Sequence, residues 1–242
     1  MATSRLAHRA EGIEIMDAGS YTLREIRDNL ADLRFMNRWM RGARIVEREV
    51  ASLVAATPGP GPLSLLDVAT GSADIPLRLA RRVVREGKSL LPIGLDSNPQ
   101  VLDASRLWQR GQTGAARLVR ADARCLPWAD RSIDVVICSN FLHHLDPAGA
   151  LSALAEMRRV ARIGIVISDL RRTRAAWGLV WLATHLTTRN RLTRHDGPLS
   201  VERAFTVDEL RALAGEAGLT GAVVRRIGPA RMVLRWPATG GP

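Results

Sequence analysis

Residues 63–74 read Leu63-Ser-Leu-Leu-Asp67-Val-Ala-Thr-Gly71-Ser-Ala-Asp74: an apolar run, a turn of small residues, then a segment of helical periodicity from Ile75 onward. A strand, a tight small-residue turn and a helix form the crevice at which α/β proteins hold nucleotide-like ligands. Outward from this stretch, short apolar runs alternate with amphipathic segments. They predict strands at 63–69, 91–96, 116–121, 133–138 and 162–168, with helices near 74–86, 98–109 and 147–160. Runs that are apolar on both faces indicate a parallel sheet covered by helices on each side. Local chemistry marks the helix starts: Ser97-Asn-Pro-Gln100 has capping-box form, Asp146-Pro147 is a cap with a first-turn proline, and Thr206-Val-Asp-Glu209 opens a last helix that ends at Gly218. Ala222–Ile227 and Arg231–Trp236, joined around Gly228-Pro229, predict a terminal hairpin.

Upstream, Thr22-Leu-Arg-Glu25 caps a helix whose apolar face carries Leu23, Ile26, Leu30, Leu33 and Met40. A second helix over residues 45–54 is expected to stop at Pro58-Gly-Pro-Gly-Pro62. Residues 1–20 lack periodicity and are expected to fray, with order beginning at Thr22.

The chain has 242 residues, 46% of them hydrophobic, which excludes a disordered or fibrous protein. Lys+Arg 35 against Asp+Glu 24 leaves a net charge of +11, an invitation to polyanions. Lys88 is the sole lysine, however, so arginine-rich codon usage explains part of the excess. Cys125 and Cys138 have neither C-x-x-C nor metal-ligand spacing, and no metal motif is legible. With no signal-like segment at the start and no apolar stretch long enough to span a bilayer, a cytoplasmic protein is expected.

The loop chemistry narrows the ligand. A dinucleotide fingerprint needs glycine at the positions held here by Ala69, Gly71 and Asp74. A carboxylate at the third would face a pyrophosphate across a weakly screened crevice, which is unfavourable. The ligand should therefore carry adenosine without phosphate, and preferably a positive charge. S-adenosylmethionine meets that description. Leu65–Asp74 resembles the first motif of the class I S-adenosylmethionine-dependent methyltransferases, in the branch that contains the ubiquinone/menaquinone-biosynthesis C-methyltransferases. The motif's usual form there is acidic-x-Ala/Gly-x-Gly-x-Gly-Asp. Ala73 replaces its last glycine and narrows the space for backbone approach. Met36-Asn37 is similar to the Met-Asn of that branch's N-terminal cap, and the resemblance runs over roughly residues 30–236.

The resemblance implies a Rossmann-like α/β fold with a mostly parallel seven-stranded sheet and an antiparallel terminal strand. A helical cap (22–57), a cofactor core (63–168), a lid (169–205) and a final helix with its strand pair (206–236) would make one domain over 1–242. It places Asp67 toward the methionyl ammonium, with Ala69, Gly71 and Ala73 as the loop that receives the ligand. Asp96 closes the second strand, where its two oxygens can take both ribose hydroxyls. Asp122 could accept from the adenine amine, with Ser97, Ala123 and Ser139 alongside.

Ser139-Asn140-Phe-Leu-His143-His144 follows the fourth strand, the segment that in this family lies under the transferring methyl. His143 and His144 are thus candidate general bases, set against the alternative that they support the loop. Asn37 and Trp39 from the cap are candidate acceptor contacts. The lid adds Trp177, Trp181 and Leu182 as an apolar lining, with Asp169, His185 and His195 as polar contacts. Arg171, Arg172, Arg174, Arg189, Arg191 and Arg194 bracket this apolar stretch without an acid between them, the pattern of a segment that touches an anionic membrane.

A nucleic-acid amino methyltransferase would carry Asn/Asp-Pro-Pro-Tyr/Phe where this chain has Ser139-Asn-Phe-Leu142, and with Phe 3, Trp 6 and Tyr 1 there is little to stack on bases, so nucleic acid is an unfavoured acceptor. The expected activity is methylation, at oxygen or carbon, of a small apolar phenolic or quinol-like metabolite of secondary or lipid-quinone metabolism, by a monomer or homodimer. The alternatives are a methyltransferase of RNA or protein, a nicotinamide oxidoreductase, and a basic binding protein with a vestigial cofactor site.

Overall fold

A computed structural model describes residues 6–39, 42–55, 61–85 and 89–238. In chain order its elements are α1 (Ile15–Ala18), α2 (Leu23–Trp39), α3 (Gly42–Ala55), β1 (Leu63–Val68), α4 (Asp74–Arg85), β2 (Leu90–Asp96), α5 (Pro99–Gln109), β3 (Arg117–Arg120) and β4 (Ile133–Ser139). A 3-10 turn (Leu142–His144) leads to α6 (Pro147–Val160), β5 (Ala161–Leu170), α7 (Arg174–Thr187), α8 (Arg191–Arg203), α9 (Val207–Glu216), β6 (Val223–Ile227) and β7 (Arg231–Pro237).

The strands form a seven-stranded sheet in the order β3-β2-β1-β4-β5-β7-β6. β1 pairs in parallel with β2 and with β4, β4 pairs in parallel with β5, and β7 runs antiparallel between β5 and β6. The strand order reverses at β1 and β4, which opens a crevice beyond their C-terminal ends. Alternation along the strands fills two cores. Leu66, Val68, Val136 and Cys138 face Leu154 and Met157 of α6 and Leu210 of α9. Leu65, Val135, Ile137 and Val166 face Val46 and Val50 of α3 and Leu79 of α4. Burial of β4 on both sides is why Val135–Cys138 reads as one apolar run.

The helix starts carry the expected chemistry, with one shift. Thr22 and Glu25 form a reciprocal capping box, and so do Thr206 and Glu209. Asp146 caps α6 by accepting from the Gly149 amide. At α5, Asn98 and not Ser97 is the cap, accepting from the amides of Gln100 and Val101, because Pro99 fixes the first turn one residue later. The Pro58–Pro62 stop falls mostly on residues 56–60, outside the described residues, as does Met40.

Two expectations need correction. The described residues before Thr22 are ordered, not frayed. The Arg9 guanidinium donates to the carbonyls of His143, Leu145 and Arg203, the Ala10 amide reaches Glu202, and the Ile15 and Met16 amides both donate to Asp196. These partners lie far away in the chain, so no local periodicity announces them. Residues 169–205 are also more regular than expected: after α7 the chain forms α8 across Gly197-Pro198, where the approach of Gly197 to Thr184 sets the packing of one helix on the other.

Most of the arginine charge in this region is spent internally. Arg172 is buried against Glu209 (2.6 Å), Arg191 pairs with Glu25, Arg194 donates to the carbonyls of Thr188 and His185, and Arg171 donates to that of Pro229. Arg174 and Arg189 are left as exposed cations on the segment, beside exposed Leu182 and Leu186. The expected basic rim is thereby reduced. Among the described residues no helix is long and apolar enough to cross a membrane.

Candidate active site

The β1–α4 loop makes three excursions to left-handed backbone, at Ala69 (φ 56°), Gly71 (φ 55°) and Ala73 (φ 58°). Alternate residues turned this way curl the loop, with the Thr70 amide donating to the Leu95 carbonyl, the Gly71 amide to Asp96 and the Ala73 amide to the Thr70 carbonyl. Glycine adopts this region freely, whereas an alanine there costs about 1 kcal/mol. Gly94 of β2 lets the loop sit down on the strand, since a Cβ there would lie 2.8 Å from the Thr70 side chain.

The crevice has a volume of about 410 Å³, within the range of small-molecule sites. Its walls include Asp67, Ala69, Gly71, Asp96, Ser97, Asp122, Ala123 and Ser139, so most of the predicted cofactor residues converge on it. Ala73 is fully buried behind the loop and does not line the cavity; its contribution is the backbone turn. Asp96 bridges the Gly71 and Asn98 amides and ties the loop to the end of β2. Asp122 is less free than expected, because Arg124 grips it bidentately at 2.7–3.1 Å. That ion pair holds its carboxyl below the usual range.

Among the described residues, two buried polar atoms here have no hydrogen-bond partner: Asp67 Oδ1 and Ser139 Oγ. Buried polar groups are nearly always satisfied, so each is suited to an incoming donor. Burial pushes the Asp67 carboxyl up to about 8 despite a hydrogen bond from Thr70, with Asp74 and Asp96 adding repulsion. Asp74 and Asp96 are raised as well, chiefly by burial. A cavity that concentrates carboxylates in this way repels phosphate and favours a cation. The ammonium, ribose hydroxyls and adenine amine of S-adenosylmethionine fit this donor-poor, acceptor-rich wall.

A second, buried cavity of about 100 Å³ adjoins the first, and Met16, Leu33, Asn37, Asn140 and His144 line both. Its remaining wall includes Glu14, Met36, His143, Leu170, Val180, Asp196, Ser200 and Arg231. His143 is buried, with Nδ1 2.6 Å from Asp169 Oδ1, while Asp169 also accepts from the His143 and Leu170 amides. Burial would raise the Asp169 carboxyl, but the His143 side chain outweighs it and holds the group below its ordinary value. With Nδ1 facing a carboxylate, Nε2 is the ring nitrogen left for other chemistry. His144 has Nδ1 2.9 Å from Asp17 and Nε2 3.6 Å from Glu14. Burial works against its charge, but Glu14 and Asp17 prevail and bring it to about 9. His144 is therefore charged at neutral pH in the free protein.

Asn37 and His144 line both cavities, and His143 lines the second alone. Asp169 serves through His143 and does not line either cavity. The other acceptor candidates fall elsewhere. Trp39 is 74% exposed at the end of α2, and Trp181 and His185 stack on each other on the outer side of α7. His185 Nδ1 lies 2.8 Å from the Trp181 carbonyl, four residues back, and His195 turns to Asp196. Trp177 donates to Glu202 and packs with Leu170 and Val180. The apolar lining comes instead from Met16, Leu33, Met36, Leu170 and Val180.

Residues missed at sequence level include Glu14, Asp17, Asn140 and Arg231, whereas Asp196 belongs to the Arg194-His-Asp196 cluster that the sequence offered. Asn140 offered a signal, since an asparagine directly after a strand suits left-handed backbone, and it has φ 54° here. Its amide side chain accepts from Arg231 and faces Asn37.

Sheet order and an acidic crevice at the reversal point define a Rossmann-like protein of the class I methyltransferase type. Comparison with known proteins carries this further. Residues 65–164 match the methyltransferase domain family. The chain is 30% identical over 182 residues to the ubiquinone/menaquinone biosynthesis C-methyltransferase UbiE of Xylella fastidiosa (strain M23), covering 66% of this chain and 70% of that protein. With UbiE of Idiomarina loihiensis it shares 35% identity over 104 residues, 42% of this chain and 39% of that protein. The chain thus spans about two fifths of the length of several curated relatives that it matches.

Among solved structures, it aligns with the plantazolicin methyltransferase BpumL (TM-score 0.64, 11% identity, 89% of this chain and 91% of that one). It also aligns with magnesium protoporphyrin IX methyltransferase from Synechocystis PCC 6803, solved with bound SAH (TM-score 0.56, 16% identity, 85% and 88%). At these identities the two establish the fold. The chain belongs to the class I S-adenosylmethionine-dependent methyltransferases, in the branch related to UbiE.

Proposed function

We propose that this protein transfers the methyl group of S-adenosylmethionine to a small phenolic or quinol-like acceptor seated in the second cavity. The observation that carries this reading is the junction itself: an acidic crevice of cofactor size opens, at Asn37, Asn140 and His144, onto a buried cavity on the scale of one aromatic ring. Asp67 would receive the methionyl ammonium, Asp96 the ribose hydroxyls and Asp122 the adenine amine. The Ala69–Ala73 loop, Ser97, Ala123 and Ser139 would shape the wall around them. The bound cofactor supplies an electrophilic methyl, so the protein's task is to align the acceptor and remove its proton. Of the two imidazoles, His143 is the one oriented as a base, because Asp169 holds its Nδ1. His144 is held by Glu14 and Asp17.

The UbiE relatives are named for methylation at carbon in quinone biosynthesis, and a quinol headgroup matches the cavity in size. The test is methyl transfer from labelled cofactor to a panel of naphthoquinols, catechols and simple phenols, with product mass spectrometry. Labelling of a quinol or phenol is expected. Transfer to tRNA or protein in preference to every member of the panel would replace this reading.

A further inference from the structure

The sequence shows no metal motif, yet the fold brings Glu14, His143 and His144 together so that one ligand atom from each lies within 4.8 Å of the others. Glu14 comes from the segment before α1 and the histidines from the turn after β4, so no spacing rule could expose the group. We propose that these three residues form a binding site for a divalent first-row transition-metal ion at the junction of the two cavities.

Four observations support the site. First, each imidazole has its Nδ1 on a carboxylate, His143 on Asp169 at 2.6 Å and His144 on Asp17 at 2.9 Å. That is the arrangement by which proteins fix metal-binding histidines, orienting Nε2 toward the ion and making it more basic. Second, the His144 Nε2 to Glu14 Oε2 distance is 3.6 Å. Two ligands each about 2.1 Å from a tetrahedral ion stand roughly 3.4 Å apart, so little rearrangement is needed. Third, Glu14 is 2% exposed, and among the described residues its cationic neighbour is the His144 imidazole and not a guanidinium: Arg9 and Arg203 direct their donors to main-chain carbonyls of Gly12, His143, His144, Leu145 and Arg203. Ser200 supplies its hydrogen bond, leaving the second oxygen toward the histidines. Fourth, the site is incomplete as a ligand cage. All three residues line the acceptor cavity, and His144 lines the cofactor crevice too, so the open positions of an ion would face the acceptor.

Two imidazoles and one carboxylate favour zinc, iron, cobalt or manganese over magnesium or calcium, which prefer all-oxygen shells. The site stands on geometry alone. Its use rests on the reading above with one change, since an ion on Nε2 leaves His143 no free base: a phenolic or enolic oxygen bound at an open position becomes more acidic, and its proton passes to solvent before the methyl is transferred.

The experiment uses the untagged full chain, stripped with a chelator, dialysed and titrated with Co²⁺, with visible d–d absorption as the readout and Zn²⁺ as competitor. The expected result is one equivalent of Co²⁺ displaced by one of Zn²⁺. Affinity should fall at least tenfold in Glu14→Gln and His144→Ala, and about tenfold in Asp17→Asn, which acts through His144. S-adenosylmethionine affinity should stay unchanged in Glu14→Gln. Failure of the wild-type chain to bind a stoichiometric ion would overturn the proposal, as would equal affinity in wild type and in folded Glu14→Gln. Failure of the wild-type chain to bind S-adenosylmethionine while it still holds Co²⁺ would overturn the methyltransferase reading and leave the metal site standing.

Discussion

The cofactor crevice and the acceptor cavity share a wall but are assembled in opposite ways. The crevice draws its carboxylates from the C-terminal ends of consecutive parallel strands, Asp67 after β1, Asp96 after β2 and Asp122 after β3. Its position follows from strand order, and each contribution is a local feature. The cavity is closed by residues from remote segments: Glu14 and Met16 before α2, Asn37 within it, Asn140 to His144 after β4, Asp196 in α8 and Arg231 opening β7. Its chemistry exists only once those segments have docked. The crevice can therefore be kept across a family while the cavity is rebuilt for another acceptor, because the two depend on different parts of the chain.

The sharpest way to break this division is at Asp169, which lines neither region and touches the cavity only through His143. Asp169→Asn keeps the shape but removes the charge that holds His143, and general-base catalysis is typically worth 10²–10⁴-fold. A fall in kcat of about 100-fold or more is expected, with cofactor affinity within about threefold of wild type by calorimetry. An equal loss in both would show that the two regions are one unit. The reciprocal change is Asp96→Ala in the crevice. It removes the acceptors offered to the ribose and frees the Gly71 and Asn98 amides. Cofactor affinity should fall by roughly 30-fold or more, about 2 kcal/mol, the range for hydrogen bonds to charged groups. Unchanged affinity would move the cofactor elsewhere.

This division also explains what the sequence disclosed. The sheet, its switch point and the carboxylates after each strand were legible because apolar runs and the small-residue turn are local signals. The terminal hairpin was legible for the same reason. Trp181 and His185 misled because an apolar helix beside a predicted cavity has several faces, and the packing of α7 on α8 decides which one is inward; Trp39 ends α2 and stands exposed there. Glu14 and Asp17 were illegible because a lone charged residue in a stretch without periodicity has the same local pattern whether it is solvated or buried. The segment before Thr22 followed the same logic: its order comes from hydrogen bonds to residues more than 100 positions away, such as those from Arg9 to His143 and Leu145.

The electrostatics of the crevice give a pH test. Burial raises Asp67 from an ordinary value of 3.8 to about 8. The folded state therefore holds a proton that the unfolded state has released across this window. The associated stability is present in full below about pH 4 and is lost as pH rises through about 8. The unliganded protein should lose several degrees of thermal stability, on the order of 5 °C, between pH 6 and 9. Asp67→Asn should flatten that slope. A bound cation favours the ionised carboxylate, so S-adenosylmethionine should bind more tightly as pH rises over the same range. Calorimetry in buffers of different ionisation enthalpy should detect proton release near pH 7, and its absence would mean that Asp67 does not face the ligand's charge.

The smallest expected effect concerns the β1–α4 loop, which lines the crevice and not the cavity. Ala73 takes φ 58° at a position where the related motif has glycine, and it is fully buried. Ala73→Gly removes the Cβ that left-handed backbone disfavours but adds freedom to the unfolded chain and deletes a buried methyl. The first term is worth about 1–2 kcal/mol in favour of the variant and the others about 1–2 kcal/mol against it. Near-neutral stability, within about 1 kcal/mol, is expected from denaturant unfolding. Gly71→Ala is the control, because it introduces the same backbone strain at φ 55° with only Leu30 nearby, 3.6 Å from the added Cβ, and so has no such compensation. It should destabilise by about 1 kcal/mol and weaken cofactor binding, since Gly71 lines the crevice and strain there shifts the loop that Asp96 holds. If Ala73→Gly proved as costly as Gly71→Ala, the packing of the Ala73 methyl, and not the curl of the backbone, would be what holds the loop against the sheet.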